Sequence, residues 1–138
     1  MTPEQKELVK SSWLKVAPIA DTAAELFYGK LFELDPAVKS LFKGNMQQQG
    51  AKLMKMIGIA VNGLDRLEAI VPTLQDLGRR HVVYGINDGH YDTVGAALIW
   101  TLEQGLGAAF TPKVKDAWAT VYGILVGTMK DAAAQVAA

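Results

Sequence analysis

Histidine is the side chain best suited to hold a metal or move a proton near neutral pH, and this chain of 138 residues has two, His81 and His90. His81 follows Leu77 by four residues and Gly78 by three. On a helix its imidazole therefore leaves an apolar face with little bulk one turn below. That setting suits ligation of haem iron by a neutral imidazole, the small residue leaving room for a flat macrocycle. It equally suits a core histidine hydrogen-bonded to a carbonyl. His90 lies between Asp88 and Asp92. Ligands at i, i+2 and i+4 converge from an extended strand and not from a helix, and Asn87-Asp88-Gly89 reads as a turn entering a helix. These three are read as a polar cap.

Three further residues acquire meaning only as a set. Tyr28 falls on a helix face with Phe27, Leu31 and Phe32, where a core tyrosine with a bonded hydroxyl would also sit. Gln49 is the last of three glutamines and reads equally as a solvated helix start, and Phe42 as a core aromatic. The sequence has no cysteine, which excludes disulfides, thiol catalysis, Cys-ligated metal centres and covalent c-type haem attachment. It has no phosphate-binding glycine loop, no His-Glu-x-x-His and no Gly-x-Ser-x-Gly elbow.

The elements that must carry these residues are helical throughout. Thr2, Pro3 and Gln5 make an N-cap, a first-turn proline and a capping-box partner. Val9, Trp13, Val16 and Ala20 recur at helical spacing, with Pro18 predicting a break. Asp21 or Thr22 is expected to cap a second helix, and Asp35-Pro36 to open a short one running through Leu41. After Gly44-Asn45 a long helix carries Leu53, Ile57, Ala60, Val61 and Leu64, stopping near Asn62-Gly63. A helix starting near Pro72 holds Leu74, Leu77, Gly78 and His81. Tyr91, Val94, Leu98, Leu102 and Leu106 form the stripe of the next, and Thr111-Pro112 opens the last, with Val114, Trp118, Val121, Leu125 and Met129. No stretch alternates with period two, so the class is all-α, one domain over residues 1–138.

Composition agrees with a compact fold. Half of the residues are hydrophobic and a fifth charged; a chain of this size buries roughly two-thirds of its unfolded surface without staples. Fourteen basic residues balance fourteen acidic ones, giving no bias toward nucleic acid or an anionic membrane. The longest uncharged stretch, thirteen residues from Ala117 to Met129, is too short to span a bilayer, and the start has no apolar signal region. A cytoplasmic protein is expected.

Taken in order, these segments resemble the globins, and among them the bacterial single-domain haemoglobins related to flavohaemoglobin globin domains. The likeness runs nearly end to end. Leu26-Phe27-Tyr28-Gly29-Lys30-Leu31-Phe32, then Asp35-Pro36 and Leu41-Phe42, resemble the second helix, the Pro-initiated short helix and the haem-facing phenylalanine. Gln49 and Leu53 match the distal positions of the long helix, 32 residues separating Gln49 from His81. Arg79-Arg80-His81 with His90-Tyr91 resembles the proximal-histidine segment, and Trp118-Ala119-Thr120-Val121-Tyr122-Gly123 the last helix.

The resemblance implies a globin fold around non-covalent haem b, with His81 as axial ligand. Phe42, Leu53, Ile57, Ile86, Tyr91, Val94 and Leu98 would line the cofactor, and Tyr28 and Gln49 would face the distal side of a five-coordinate iron. A hydroxyl and an amide N–H there would stabilise a polar ligand, implying tight, reversible dioxygen binding with slow release. Carbon monoxide and nitric oxide are the other diatomic ligands expected. Arg79, Arg80 and Lys52 could pair with haem propionates or be solvated surface charge. One departure from the flavohaemoglobin pattern is Ala133, where that family has a glutamate; Asp131 lies about 200° away round the helix. This weakens a peroxidase-like reading. The alternative function is nitric oxide dioxygenation with a separate reductase, since the chain has no room for reductase domains. A haem-free helical module or a gas sensor is a third class, but a sensor would need an output domain. No separate catalytic residue is assigned.

Overall fold

The computed structural model describes residues 2–41, 45–83 and 88–137, with side chains except at 41, 81–83, 88 and 135–137. Helix α1 spans Pro3–Val16. The Thr2 hydroxyl accepts from the Gln5 N–H at 3.1 Å and the Gln5 side chain accepts from the Thr2 N–H at 3.0 Å, the reciprocal cap expected. Pro18 ends α1 through a 3-10 turn, Ala17–Ile19, which leads into α2, Ala20–Leu34. Neither Asp21 nor Thr22 caps α2. Its N-cap is Ile19 without a side-chain bond, because the turn carries straight on: the Ala20 N–H already donates to the Ala17 carbonyl. Asp21 stays in the first turn, beside the positive helix end.

Pro36 opens a 3-10 turn, Pro36–Leu41, where a short helix was expected. Asn45 caps α3, Met46–Asn62, accepting from the N–H groups of Gln47 and Gln48 at 2.8 and 3.2 Å. Gly63 ends α3 with φ −91°, so it is not needed for a left-handed turn. It is small because a Cβ there would lie 2.9 Å from Ile70 Cγ2. A turn at Leu64–Arg66 runs into α4, Leu67–Val83. The helix thus begins before Pro72, the expected start. The proline forfeits one bond, to the Glu68 carbonyl, and both residues lie on the exposed surface where water can replace it. Helix α5 spans Asp88–Leu106, and α6 spans Pro112–Ala137 with Thr111 accepting from the Val114 N–H at 3.2 Å.

The packing divides the helices into two groups. Val9, Trp13, Val16, Phe27, Leu31, Leu102, Trp118 and Val121 form a main core among α1, α2, α5 and α6. Trp13 and Trp118 meet at 6.1 Å, and the buried Trp118 Nε1 donates to Ser12 Oγ at 2.8 Å. Helix α3 joins this core by packing on α2 and α1. Helix α4 packs on α6 instead, in a smaller cluster of Leu74, Tyr91, Val126 and Met129. Among the described residues, α3 and α4 share no extended packing face. Consecutive in sequence, they are pinned to different partners.

Candidate haem site

The two hydrophobic clusters are bridged along α5. Tyr91 belongs to the smaller, Val94 packs partly buried on the larger, and Leu98 lies within the larger. Spaced i, i+3 and i+7, these three share one face of α5. On α3, Met54, Ala60 and Val61 are buried against the core, while Gln49, Leu53 and Ile57 on the neighbouring flank are only half-buried. Leu53 and Ile57 pack against the main core yet stay partly open, and apolar side chains left so fit an apolar group better than water. His81 lies in the last turn of α4, at the far side. Its side chain, with Phe42 and Ile86, falls outside the described residues.

Tyr28 is the best-defined candidate. It is buried in the middle of α2, its ring edge-on to Phe27 at 5.1 Å and stacked on Phe32 at 6.0 Å. Burial pushes its hydroxyl up to about 12, because the phenolate would lose its hydration. The group is therefore a donor throughout the physiological range. Helix α3 crosses α2 beside it at Gly50, where a Cβ would lie 2.8 Å from Ala24 Cβ and 3.8 Å from Tyr28 Cε2. Ala24 and Gly50 set how closely Gln49 and Leu53 are brought to the tyrosine, and the sequence reading did not single them out. The available signal was a small residue at a buried helical position in each segment.

A cavity of about 730 Å³ opens beside the same crossing, with Tyr28, Gly29, Phe32, Gly50 and Ala51 among its walls and Asp21, Glu25 and Lys39 at its rim. Of the described candidate site residues only Tyr28 lines it. Its α3 lining runs from Met46 to Ala51 without Gln49.

Gly78 does not leave room beside His81. A Cβ there would lie 2.3 Å from the Met129 carbonyl oxygen, so the glycine lets α4 and α6 touch backbone to backbone. The expectation of space for a macrocycle at that residue is corrected: its open side is filled by α6. Next to this crossing the Tyr122 hydroxyl donates to the Tyr91 carbonyl at 2.5 Å, and its ring occupies the space a Cβ on Gly95 would take. Burial, with Tyr91 and Asp92 nearby, holds that hydroxyl far above the ordinary tyrosine value. Lys130 sits over the Tyr91 ring at 5.5 Å, while Asp131 is exposed and Ala133 half-buried. Arg79, Arg80 and Lys52 are exposed, and Arg80 pairs with Asp76 at 2.8 Å. Asp92 is exposed at the start of α5 and His90 half-buried; among the described residues no group of three or more acidic, His or Cys side chains could hold a metal ion.

The globin family model matches residues 25–129, from the helix carrying Tyr28 to the end of the α4–α6 crossing. The chain belongs to the globin family. Globins hold haem and bind diatomic gases, and the half-buried apolar side chains of Leu53, Ile57 and Val94 are of the kind that cofactor needs. Curated relatives of this globin include neuroglobins of Danio rerio, 30% identical, and Chaenocephalus aceratus, 31% identical, each aligned over 94% of this chain and 90% of the relative. Among solved structures, a hexacoordinated haem protein from an anhydrobiotic tardigrade superposes with TM-score 0.87 at 17% identity, covering 96% of this chain and 95% of that one. An engineered carbene transferase from Rhodothermus marinus, whose parent carries the provisional name nitric oxide dioxygenase, superposes with TM-score 0.89 at 23% identity, covering 99% and 95%. Both likenesses establish the fold. No described helix of this globin is long and apolar enough to cross a membrane.

Proposed function

We propose that this globin holds haem b without covalent bonds and reversibly binds dioxygen in the cytoplasm, with high affinity and slow release. His81 is the axial ligand. Leu53, Ile57, Val94 and Leu98, with Phe42, Ile86 and Tyr91, exclude water around the cofactor. When bound, haem would supply an iron with an open coordination position for a diatomic ligand. The observation that carries the reading is Tyr28: buried, stacked on Phe32 and held protonated beside Gly50, the residue after Gln49 on α3. A protonated hydroxyl donates to a polar ligand and resists serving as a tyrosinate ligand. The Gln49 amide supplies a second N–H donor. Each charge-assisted bond of this kind contributes about 1.5–3 kcal/mol, and a less polar ligand such as carbon monoxide gains less.

Five-coordination follows from Gln49: the chain's second histidine, His90, is at the opening of α5. The hexacoordination named for the tardigrade protein is therefore not carried over. Visible spectra of the purified, haem-reconstituted protein test the whole reading: ferric, dithionite-reduced, then with oxygen and with carbon monoxide. A strong Soret band that shifts with each ligand supports it; haem lost on a desalting column, with no Soret band, sinks it.

The name attached to the Rhodothermus marinus protein favours one second reading, oxidation of nitric oxide by dioxygen to nitrate with electrons from a separate reductase. Repeated nitric oxide consumption in the presence of a reductase would support it, and a single stoichiometric turnover would not.

A further inference from the structure

Tyr91 is held by α6 at three successive turns of that helix. The Tyr122 hydroxyl donates to its carbonyl, Val126 packs in its cluster, and Lys130 lies over its ring, 5.5 Å from the centroid. Residues at i, i+4 and i+8 form one stripe, so the packing that fixes Tyr122 and Val126 also fixes the stem of Lys130. Met129, one residue before it, touches Gly78 of α4, and His81 follows Gly78 by one turn. Lys130 and the proposed axial histidine are therefore both within a turn of one α4–α6 contact.

A second lysine over an aromatic ring provides the comparison. Lys30 lies 5.2 Å from the Trp100 centroid, with Glu33 at 3.7 Å to balance its charge. Lys130 is half-buried, and among the described residues no carboxylate pairs with it. The acids adjoining the contact in sequence, Asp92 beside Tyr91 and Asp131 beside Lys130, are both exposed, where water screens them. A ring face attracts a cation but does not neutralise it. The charge on Lys130 is left uncompensated against the smaller hydrophobic cluster, where low polarity extends its reach.

We propose that Lys130 sets the charge preference of the site: its ammonium, seated on Tyr91, favours the reduced form of the haem iron, the form that takes dioxygen. The proposal rests on the haem-binding reading above, in which Tyr91 borders the cofactor. Oxidation of ferrous to ferric iron adds one positive charge to the centre, and a fixed cation nearby opposes that gain. Midpoint potentials of haem-loaded protein, from spectroelectrochemical titration at fixed pH, test this with Lys130→Arg, Lys130→Met and Lys130→Glu. Arginine should hold the parent potential, methionine lower it and glutamate lower it further, with the ferrous carbon monoxide Soret band unchanged. Asp131→Asn, which removes an exposed charge one residue away, should leave the potential at the parent value. The haem-free protein gives a separate readout of the contact. NMR signals of the Lys130 methylenes should be shifted upfield by the Tyr91 ring, and that shift should vanish in Tyr91→Leu.

Equal potentials in the parent, Lys130→Met and Lys130→Glu overturn the proposal and leave Lys130 a packing residue. A shift in Asp131→Asn as large as that in Lys130→Met overturns it too, making net charge the cause. Absence of the upfield shift in the parent removes the contact on which it stands. A parent protein with no Soret band defeats the haem reading itself, an outcome separate from these three. Should Lys130→Glu fail to fold, Lys130→Arg against Lys130→Met, side chains of similar length, decides the matter.

Discussion

The α4–α6 crossing and the face of α3 bearing Leu53 and Ile57 are built in opposite ways. At the crossing, Gly78 brings two backbones into contact, Gly95 admits the Tyr122 ring, and Tyr122 ties down the Tyr91 carbonyl. On that face of α3 the chain leaves apolar side chains half-buried. The difference is between a closed backbone contact and apolar side chains left partly uncovered. Helix α3 is seated on α2 at Gly50, and helix α4 on α6 at Gly78.

The largest effect tests the far wall. His81→Ala is expected to lose haem on gel filtration, or to keep it only when imidazole is added; a normal spectrum without imidazole would remove His81 from the site. Next in size is a pair that compares core with open flank. Leu102 is 1% exposed, and Leu102→Ala should cost about 2–5 kcal/mol in urea unfolding. Leu53→Ala should cost only a small fraction of that in the haem-free protein, and more once haem is added. Equal costs without haem would mean the flank is already packed.

The Tyr28 hydroxyl gives two readouts. Tyr28→Phe should raise the oxygen release rate about ten- to a hundredfold, measured by stopped-flow displacement with carbon monoxide. An unchanged rate would transfer the role to Gln49. In the haem-free protein this hydroxyl keeps its proton up to about 12 when folded, against 10.0 ordinarily. The unfolded chain therefore deprotonates first. The stability linked to Tyr28 is complete below pH 10 and is lost as pH rises toward 12, on the order of 2–3 kcal/mol. Urea midpoints at pH 9 and pH 11 should lie closer together in Tyr28→Phe than in the parent.

The smallest effects come from one substitution made at two glycines. Gly78→Ala puts a methyl 2.3 Å from the Met129 carbonyl oxygen and should destabilise by about 1–3 kcal/mol. Gly29→Ala meets nothing and should stabilise by about 0.5–1 kcal/mol. Thermal melts that moved in the same direction would contradict the contrast between a closed crossing and a bare cavity wall.

Much of the fold was legible locally. Thr2 with Gln5, Pro18, Asn62-Gly63 and Thr111-Pro112 mark their boundaries because caps and prolines act on the nearest backbone groups, whatever lies beyond. Asp21 and Pro72 misled for the complementary reason: a preceding turn already supplied the helix start, which a local reading credits to the nearest cap or proline.

The sequence by itself determined an all-helical chain, excluded thiol and covalent haem chemistry, and carried the ordered set Tyr28, Gln49 and His81 that resembles a globin. Periodicity marks which face of a helix is apolar but not what covers it. Only the tertiary structure decided that Gly78 serves α6, that Gly50 seats α3 on Ala24, and that Leu53 and Ile57 stay half-buried. Those outcomes depend on contacts between residues far apart in sequence, and helical spacing within a segment contains no record of them.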